Sequence, residues 1–455
     1  MTQTVLKNKS FDEVEEAGVK LRVSLSVNSP RKTELFYDKN LSLARLLVTS
    51  VLHEYVKSGD SVLKPVKCLE AIGNIGAAGL LWKKFVDGIH VTVNATNTTS
   101  LEVIRQNAND NGITVDKITN KDPCALMYNE DFNFVYLDCH TSASHYFDAV
   151  FRNLPRDGIV AITTKDDPSL QTLNPDGALR NYHGLIGRTS YINELGVRLV
   201  IAAMARSASK YRKGIEVLLC GFFKNTFLII VKAIKGSQHA DSSLRKICRL
   251  AHCSMCEERA FYPPTNDFGD PKTLLSCDCS TKHNSNLAVV LGPVWTSEIF
   301  KVPLLKIMIK NETFRSQKAV IDFLLTLLEE SMSIEASTSK PVEEKSNLED
   351  KFSKTSDEPP TKIKKVKSAS DNGVLCGENG PLIRSEDEIE DNVTPPFYYN
   401  IIRLSVHSSL NLKNMKKIVL ALRNAGYKAS RTHFCKESVR TNANKEQITQ
   451  VIENC

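Results

Sequence analysis

Two cysteine pairs have the spacing of a metal site. One C-x2-C and one C-x-C stand 20 residues apart, at Cys253, Cys256, Cys277 and Cys279. Two close pairs of thiolates separated by a loop can close a tetrahedral zinc site, so we predict that these four residues bind one structural zinc ion. His252 and His283 are reserve ligands, because a C-x-C pair is tighter than the commoner C-x2-C. Unpaired structural cysteines are the alternative.

A second chemical signal is the run YLDCHTS, which follows a β-rich segment. It predicts Asp138 and His140 at the carboxyl edge of a sheet, where α/β folds place their chemistry. A carboxylate there can accept hydrogens from an exocyclic amine and hold its lone pair in line, while a flat ring can stack a base. Two other interpretations stay open: Asp138 caps a helix that starts near Ser142, or Asp-Cys-His performs nucleophilic catalysis.

A glycine-rich turn follows the first β-rich segment, in LEAIGNIGAAG. Glu70 ends the strand, and Gly73 and Gly76 lie in the turn, where glycines let backbone amides approach a ligand and a helix N-terminus favours its negative end. The pattern is not a strict G-x-G-x-x-G, so a turn shaped only for packing is the alternative.

Polar residues after the next strands are candidates for the rest of a nucleotide-like ligand. The second strand ends in VNATN, where Asn94 or Asn97 can bond a ribose hydroxyl without charge. Asp122 and Pro123 follow the third strand and are candidates for an adenine contact. A solvated loop is the alternative at both places.

These residues need a sheet to position them, and the segment from Pro65 to about Ile234 predicts one. Seven β-rich runs alternate with helical stretches at 98–111, 143–153 and 190–209, the last with an i,i+4 pair of Glu194 and Arg198. The strands are predicted at 66–72, 90–96, 113–119, 133–139, 158–164, 215–221 and 226–232. Only FFKN separates the last two, so we predict five parallel strands followed by an antiparallel hairpin, the layout of a class I methyltransferase sheet.

Composition sets the outer organisation of the 455 residues. A hydrophobic fraction of 42% supports a globular chain, and a net charge of +7 permits an anionic partner without demonstrating one. No signal-length or membrane-length apolar run occurs, so we expect a reducing compartment, free or metal-bound thiols and no membrane partner. The predicted regions are an N-terminal extension (1–33), an α/β domain (34–240), a zinc-containing α+β domain in two parts (241–334 and 396–455) and a disordered linker (335–395).

Smaller elements are predicted outside the α/β domain. Residues 303–334 have a mixed strand and helix pattern, and PPFYYNIIRLSVHSS predicts a strand before an amphipathic helix that ends at Gly426. We expect this C-terminal part to pack back onto the unit before the linker, because about 60 residues alone bury little surface. Within the linker, KIKKVK (362–367) resembles a nuclear import signal and predicts a nuclear or nucleolar location, with a solvated charge run as the alternative.

Several dispersed stretches together resemble the tRNA (guanine-26-N2) dimethyltransferase family, in particular its vertebrate tRNA-methyltransferase-1-like branch. In chain order they are FYDKNLSLA, LEAIGNIGAAG, YLDCHTS, RNYHG, ARSASKYRKGIEVLL, the cysteine pairs, GPVW and RTHFCKESVRTNA. The resemblance covers about residues 34–334 and 396–445. It implies S-adenosylmethionine as methyl donor, a tRNA guanine amine at the hinge of the D-stem and anticodon stem as target, and a C-terminal domain that helps clasp the tRNA.

The chain departs from the family motifs at the site itself. A cofactor-contacting arginine of the family becomes Lys39, a second arginine aligns with Ala78, and the aspartate after the second strand aligns with Ala95. The Asp-Pro-aromatic-Gly motif keeps only Asp138. Each lost charged contact could cost about 1–3 kcal/mol of cofactor binding. The leading hypothesis is therefore a tRNA guanine-N2 methyltransferase in which Asp138 orients the amine, and the alternative is a catalytically silent tRNA-binding relative.

Overall fold

The structure is a computed structural model that describes residues 11–24, 35, 37–58, 65–263, 269–332, 396–408 and 414–454. The predicted linker at 335–395 and the basic run KIKKVK fall outside these residues, so the linker and the nuclear location stay predictions. Among the helices that are described, each is too short or too polar to cross a bilayer.

The first described element is a β-hairpin that the sequence did not predict. Strands β1 (Phe11–Glu16) and β2 (Val19–Ser24) pair antiparallel, and helix α1 (Ser42–Lys57) follows. Buried Arg45 of α1 donates from Nε and Nη2 to the two carboxylate oxygens of Glu16 at 2.9 and 2.5 Å. This buried pair fastens the hairpin to α1.

A seven-stranded sheet confirms the predicted layout. Its spatial order is β5-β4-β3-β6-β7-β9-β8, in which β3 to β7 run parallel and β9 is antiparallel to both its neighbours. Lys224 and Asn225 form the two-residue loop between the last strands, and both have positive φ, as a type I′ hairpin turn requires. The strands are β3 (Val66–Glu70), β4 (Ile89–Asn94), β5 (Lys117–Thr119), β6 (Phe134–Cys139), β7 (Ile159–Thr164), β8 (Lys213–Phe223) and β9 (Thr226–Lys235).

Helices cover both faces of this sheet. The predicted helices are present, and α8 is buried along most of its length because it packs against the sheet and against a second sheet described below. The helices are α2 (Ala77–Phe85), α3 (Thr98–Asp110), α4 (Pro123–Asn129), α5 (Ser144–Asn153), α6 (Asp167–Leu170), α7 (Pro175–Tyr182), α8 (Ile192–Lys210) and α9 (Ser237–Arg245).

The cysteine-containing region has a sheet of its own, which the sequence analysis missed. Strands β10 (Ile247–Cys253), β11 (Arg259–Phe261) and β12 (Ala288–Trp295) are antiparallel in the order β11-β10-β12. Short helices α10 (Pro271–Leu274) and α11 (Cys279–Lys282) lie between β11 and β12.

Two predictions about the remaining segments are wrong. Residues 303–334 are helical where they are described, as α12 (Val302–Lys310) and α13 (Lys318–Met332), because their apolar residues recur at helical spacing. The strand expected near residue 399 is only two residues long, and helix α14 replaces the rest. The C-terminal elements are β13 (Tyr399–Asn400), α14 (Ile401–Ser408), α15 (Met415–Asn424), β14 (Ala429–Arg431), β15 (Ser438–Thr441) and α16 (Lys445–Glu453).

A buried charged cluster joins these C-terminal elements to the earlier ones. Arg440 donates to Glu194 at 2.8 and 3.0 Å and to Glu330 at 2.8 Å, and Arg198 donates to Glu194 at 2.8 Å. All four side chains are at most 2% exposed. Residues 396–454 therefore complete the same packed unit as α8 and α13, while the predicted domain boundaries stay predictions.

Candidate active site

Asp138 lies at the carboxyl end of β6, at the centre of the sheet. Its Oδ1 accepts a hydrogen bond of 2.7 Å from Thr163 Oγ1 on β7, and the Tyr136 hydroxyl lies 3.0 Å from the same threonine oxygen. Helix α5 begins at Ser144 and Ala143 caps it without a side-chain bond. The helix-cap interpretation of Asp138 is therefore wrong, and its half-buried carboxylate is held by the neighbouring strand.

His140 and Cys139, which follow Asp138, both have pKa values shifted by burial. Burial lowers the pKa of His140 and outweighs the opposing field of Asp138, so its ring is uncharged at neutral pH. Burial raises the pKa of the Cys139 thiol well above its ordinary value. Because only a thiolate is a competent nucleophile, nucleophilic catalysis by Asp-Cys-His does not fit.

The sequence analysis missed a charged pair beside this group. Lys165, which directly follows β7, donates to the Asp38 carboxylate. Burial alone would raise the pKa of Asp38, but the bond from Lys165 and the Asn40 amide outweigh it, and the pKa lies below its usual value. Both charges of the pair act on the His140 ring. The signal was available, because Lys165 follows β7 just as Asp138 ends β6 and the two strands are adjacent.

Glu70 and the glycine turn form a tight junction between β3 and α2. The Glu70 carboxylate accepts from the amides of Ala78 at 3.3 Å and Gly79 at 2.8 Å, and burial, which outweighs these bonds, raises its pKa to about 7. Gly76 has φ of +77° and a Cβ on Gly73 would lie 2.6 Å from Val93. The glycines therefore serve backbone conformation and close packing, the alternative interpretation of this motif.

The same turn still keeps donors for a ligand. Among the described residues no acceptor takes the backbone N–H groups of Asn74, Ile75 and Gly76. Three consecutive amides at the carboxyl edge of the sheet, next to the start of α2, suit a ligand that carries carboxylate or hydroxyl oxygens. The turn thus fits the end of an amino-acid-bearing nucleoside without a Gly-x-Gly pattern.

Asn94 has a structural role in place of the predicted ribose contact. Its Nδ2 donates to the carbonyls of Ala71 and Lys121, and its Oδ1 accepts from Thr119 Oγ1 and the Lys121 amide. These four bonds, of 2.8 to 3.1 Å, use the whole capacity of a buried amide. Asn94 ties the ends of β3, β4 and β5 together, and Asn97, the other candidate, caps α3.

Thr96 and Asn74 are the polar pair that reaches solvent at this edge. The exposed Thr96 hydroxyl donates to Asn74 Oδ1 at 3.1 Å across the turns after β4 and β3. Sequence reasoning passed over Thr96 because it lies one residue beyond the position where an acidic residue is normally sought. A hydroxyl and an amide at this place can bond ribose hydroxyls.

Of the other predicted contacts, Asp122 and Lys39 are exposed and Pro123 is half-buried. Asp122 caps α4 through a 2.8 Å bond from the Ala125 amide, and Pro123 occupies the first turn of that helix. Lys39 is exposed in a short 3-10 turn next to Asp38. The structure therefore gives Asp122 a capping role and leaves Lys39 beside the Asp38–Lys165 pair.

The four predicted metal ligands come together. Sulfur atoms of Cys253, Cys256, Cys277 and Cys279 lie within 4.8 Å of one another, and ligands around a tetrahedral zinc with Zn–S bonds of about 2.3 Å lie about 3.8 Å apart. Burial would raise the pKa of Cys253. Hydrogen bonds from the backbone N–H groups of Cys256 and Met255 outweigh burial and lower that pKa. His252 bonds the buried Tyr191 hydroxyl through Nδ1 at 2.8 Å, and neither His252 nor His283 belongs to the described cluster.

Comparison with known proteins decides the family. The sequence model of the N2,N2-dimethylguanosine tRNA methyltransferases matches residues 14–377 and 381–453. The chain belongs to this family. It is 31% identical over 469 residues to the bovine tRNA (guanine(27)-N(2))-dimethyltransferase, covering 96% of the chain and 62% of the relative, and 31% identical to the human protein of the same name, covering 96% and 63%. The tRNA (guanine(26)-N(2))-dimethyltransferase of Methanosarcina acetivorans is 23% identical, covering 93% and 92%.

A solved structure confirms the fold class. The family member is similar to Trm1 from Pyrococcus horikoshii, determined as a complex with S-adenosyl-L-methionine, with a TM-score of 0.70 and 20% identity over 97% of this chain and 99% of that chain. The predicted class I methyltransferase fold is therefore confirmed. The chain spans less than two thirds of the length of the mammalian relatives it matches.

Proposed function

We propose that this family member is an S-adenosylmethionine-dependent tRNA guanine-N2 methyltransferase that acts on a guanine at the hinge of the D-stem and anticodon stem, position 26 or its neighbour 27. The observation that carries the proposal is Asp138, a half-buried carboxylate held by Thr163 at the centre of the sheet edge. The mammalian relatives named for guanine 27 and the archaeal relatives named for guanine 26 support the substrate class.

Asp138 would act on the exocyclic amine of the guanine. The bond from Thr163 occupies Oδ1, which leaves Oδ2 to accept an amine hydrogen and so fix the direction of the nitrogen lone pair. Asp138 can then hold the proton that the amine loses. The uncharged, flat ring of His140 lies two residues on and would stack the base.

The chain's own groups would hold the methyl donor at the same edge. The amides of Asn74, Ile75 and Gly76 would bind its carboxylate or hydroxyl oxygens, and Thr96 with Asn74 would bond its ribose. When bound, S-adenosylmethionine supplies an electrophilic methyl group. Asp122 and Pro123 remain candidates for contact with the adenine of the methyl donor, and Lys39 remains a candidate for contact with an acidic group of the donor.

Retention of this apparatus favours an enzyme over a silent tRNA-binding relative. The family motif is rewritten around Asp138, yet the carboxylate keeps a strand-borne partner and an uncharged ring beside it. A protein that only binds tRNA needs neither.

The test is Asp138→Asn, which preserves the shape of the side chain. We expect methyl transfer to an unmodified tRNA transcript to fall at least ~100-fold, because the amide cannot take the amine proton, while the Kd for tRNA stays unchanged. Asp131→Asn, on the exposed loop before the same strand, is the matched control. Transcripts with guanine only at position 26 or only at 27 identify the target.

Two results would contradict the proposal. Wild-type protein that transfers no methyl group to either transcript removes the function. A variant at Asp138 with more than a tenth of wild-type turnover removes the assignment of this residue.

We also propose that the four-cysteine cluster holds a structural zinc ion. Purified chain should contain about one zinc per molecule, and Cys277→Ser should lose most of it, because serine replaces a thiolate ligand with a weakly binding hydroxyl. Cys124→Ser, outside the cluster, should keep its zinc. Unchanged zinc in Cys253→Ser and Cys277→Ser, measured by mass spectrometry of the metal, would refute the site.

A further inference from the structure

A cavity lies away from the methyl-transfer edge, where the second sheet meets the C-terminal elements. Its volume is about 320 Å³, and strands β11 and β13, each at the edge of its sheet, contribute to its wall. None of its lining residues belongs to β3–β9 or to the turns after them. Cavities of about 300 Å³ and larger bind small organic groups in proteins.

Planar side chains dominate this cavity. The Arg259 guanidinium lies 4.2 Å from the ring centre of Tyr399 and 5.8 Å from that of Phe397. Phe261, two residues after Arg259 on β11, points to the same side of the strand, and its ring is stacked 6.2 Å from Phe397. Aromatic rings and guanidinium planes are the surfaces on which unpaired nucleobases stack.

The wall is held in place before any ligand arrives. Arg259 donates to the carbonyl of Tyr398 at 3.2 Å, and buried Phe397 donates its amide to Glu194 at 3.0 Å. Phe397 has φ of +65°, a conformation that an aromatic residue adopts only where its surroundings impose it. A preformed wall lowers the entropy lost when a ligand binds.

The rim supplies hydrogen bonds and a suitable charge. Asn442 and Asn444 are exposed, and each uses its Oδ1 within the protein, for the Lys428 amide and the Gln447 amide respectively. Their Nδ2 groups face no acceptor within the described part of the chain and can donate to carbonyl or ring nitrogens of a base. Arg259 is the one Lys, Arg, Asp or Glu residue among the described lining residues, so the charge of the cavity wall favours an anionic chain.

We propose that this cavity binds an unpaired nucleobase of the tRNA, stacked against Arg259 and the aromatic wall, as a second anchoring point apart from the target guanine. The inference rests on the proposed function only for the identity of the RNA. The site recognises a nucleotide through stacking and through the amide donors of its rim.

Photo-crosslinking of the full chain to an unmodified tRNA transcript tests the site without any substitution. We expect mass spectrometry to find an unpaired nucleotide attached to Phe261 or Tyr399, the half-buried aromatic residues of the wall. Crosslinks confined to other parts of the chain would overturn the inference.

Substitutions give an independent readout. Arg259→Lys keeps the charge but loses the plane, and we expect the tRNA Kd from fluorescence anisotropy to rise on the order of tenfold. Asn442→Ala should raise it about two- to tenfold, while Asn109→Ala, an exposed asparagine on α3, should leave it unchanged. If both cavity variants fold and bind tRNA within twofold of wild type, the inference fails.

Methyl transfer is scored separately in the same preparations. Wild-type activity with unaltered binding in the cavity variants rejects the second site and keeps the proposed function. Crosslinking in the cavity, combined with no methyl transfer by the wild type, keeps the second site and rejects the proposed function.

Discussion

Three residues at adjacent strand ends show how environment assigns different work to similar groups. Glu70 is buried and bonded to helix amides, Asp138 is half-buried and held by one hydroxyl, and Asn94 is saturated by four bonds. Sequence position predicted where each one lies, because the carboxyl ends of parallel strands share an edge. It could not predict their partners, since the Lys121 amide lies in the turn after β5 and Thr163 lies on β7.

Glu70 should make the stability of the protein depend on pH. Its folded pKa of about 7 exceeds the ordinary 4.5, so the folded protein binds a proton that the unfolded chain has released. Stability from this group is present below about pH 4.5 and is lost as pH rises through about 7.

We therefore expect Glu70→Gln to remove the loss of stability that accompanies rising pH. Between pH 5 and pH 8 the free energy of unfolding of the wild type should fall by on the order of 2–3 kcal/mol more than that of the variant, as urea unfolding can measure. Glu312→Gln, at an exposed pair, should follow the wild type. Identical pH dependence in Glu70→Gln and wild type would show that Glu70 is not protonated.

At the level of elements, the sequence predicted the central sheet and missed the smaller ones. Buried parallel strands such as β6 and β7 stand out as continuous apolar runs. Strand β1, with the sequence FDEVEE, has little apolar character because its outer face is solvated, and β10 and β12 are separated by the cysteine-containing segment. Helix α14 was mistaken for a strand because it starts with two isoleucines directly after the aromatic residues 397–399, and both residue types have high β propensity.

The glycine turn gives a prediction at this level. Gly76 and Gly112 both have positive φ, but a Cβ on Gly76 would lie 3.1 Å from Ile104, whereas one on Gly112 would meet nothing within 4 Å. Gly112→Ala should cost about 1 kcal/mol for the left-handed backbone alone, and Gly76→Ala should cost about 1 kcal/mol or more in addition. Thermal unfolding of both variants measures the difference, and equal costs would mean that Ile104 moves aside freely.

At the level of the molecule, the family motif RTHFCKESVRTNA has its explanation in the interior. Arg440 is bonded to Glu194 and Glu330, and the His433 ring and Thr432 hydroxyl also bond Glu330. This motif therefore joins α8, α13 and the C-terminal elements. Spacing along the sequence could not reveal this, because the partners lie 110 and 246 residues apart.

Removing Arg440 should be far more harmful than removing a nearby exposed arginine. Arg440→Ala removes the guanidinium that two buried carboxylates share and should cost about 3–5 kcal/mol of unfolding free energy. Arg431→Ala, exposed nine residues earlier, should cost less than about 0.5 kcal/mol. Urea unfolding measures both, and a loss at Arg440 as small as that at Arg431 would mean that the carboxylates become protonated or hydrated.

The separation of Glu194 from Arg440 also bears on how the protein is made. When α8 and α13 have left the ribosome, Glu194 already has Arg198 as a partner, but the guanidinium that joins Glu194 to Glu330 is still untranslated. Until Arg440 emerges, burial of the Glu330 carboxylate is opposed by its charge, so the nascent chain should stay open and accessible to chaperones late into synthesis. Synthesis that stops before this arginine should yield a chain recognised by quality control.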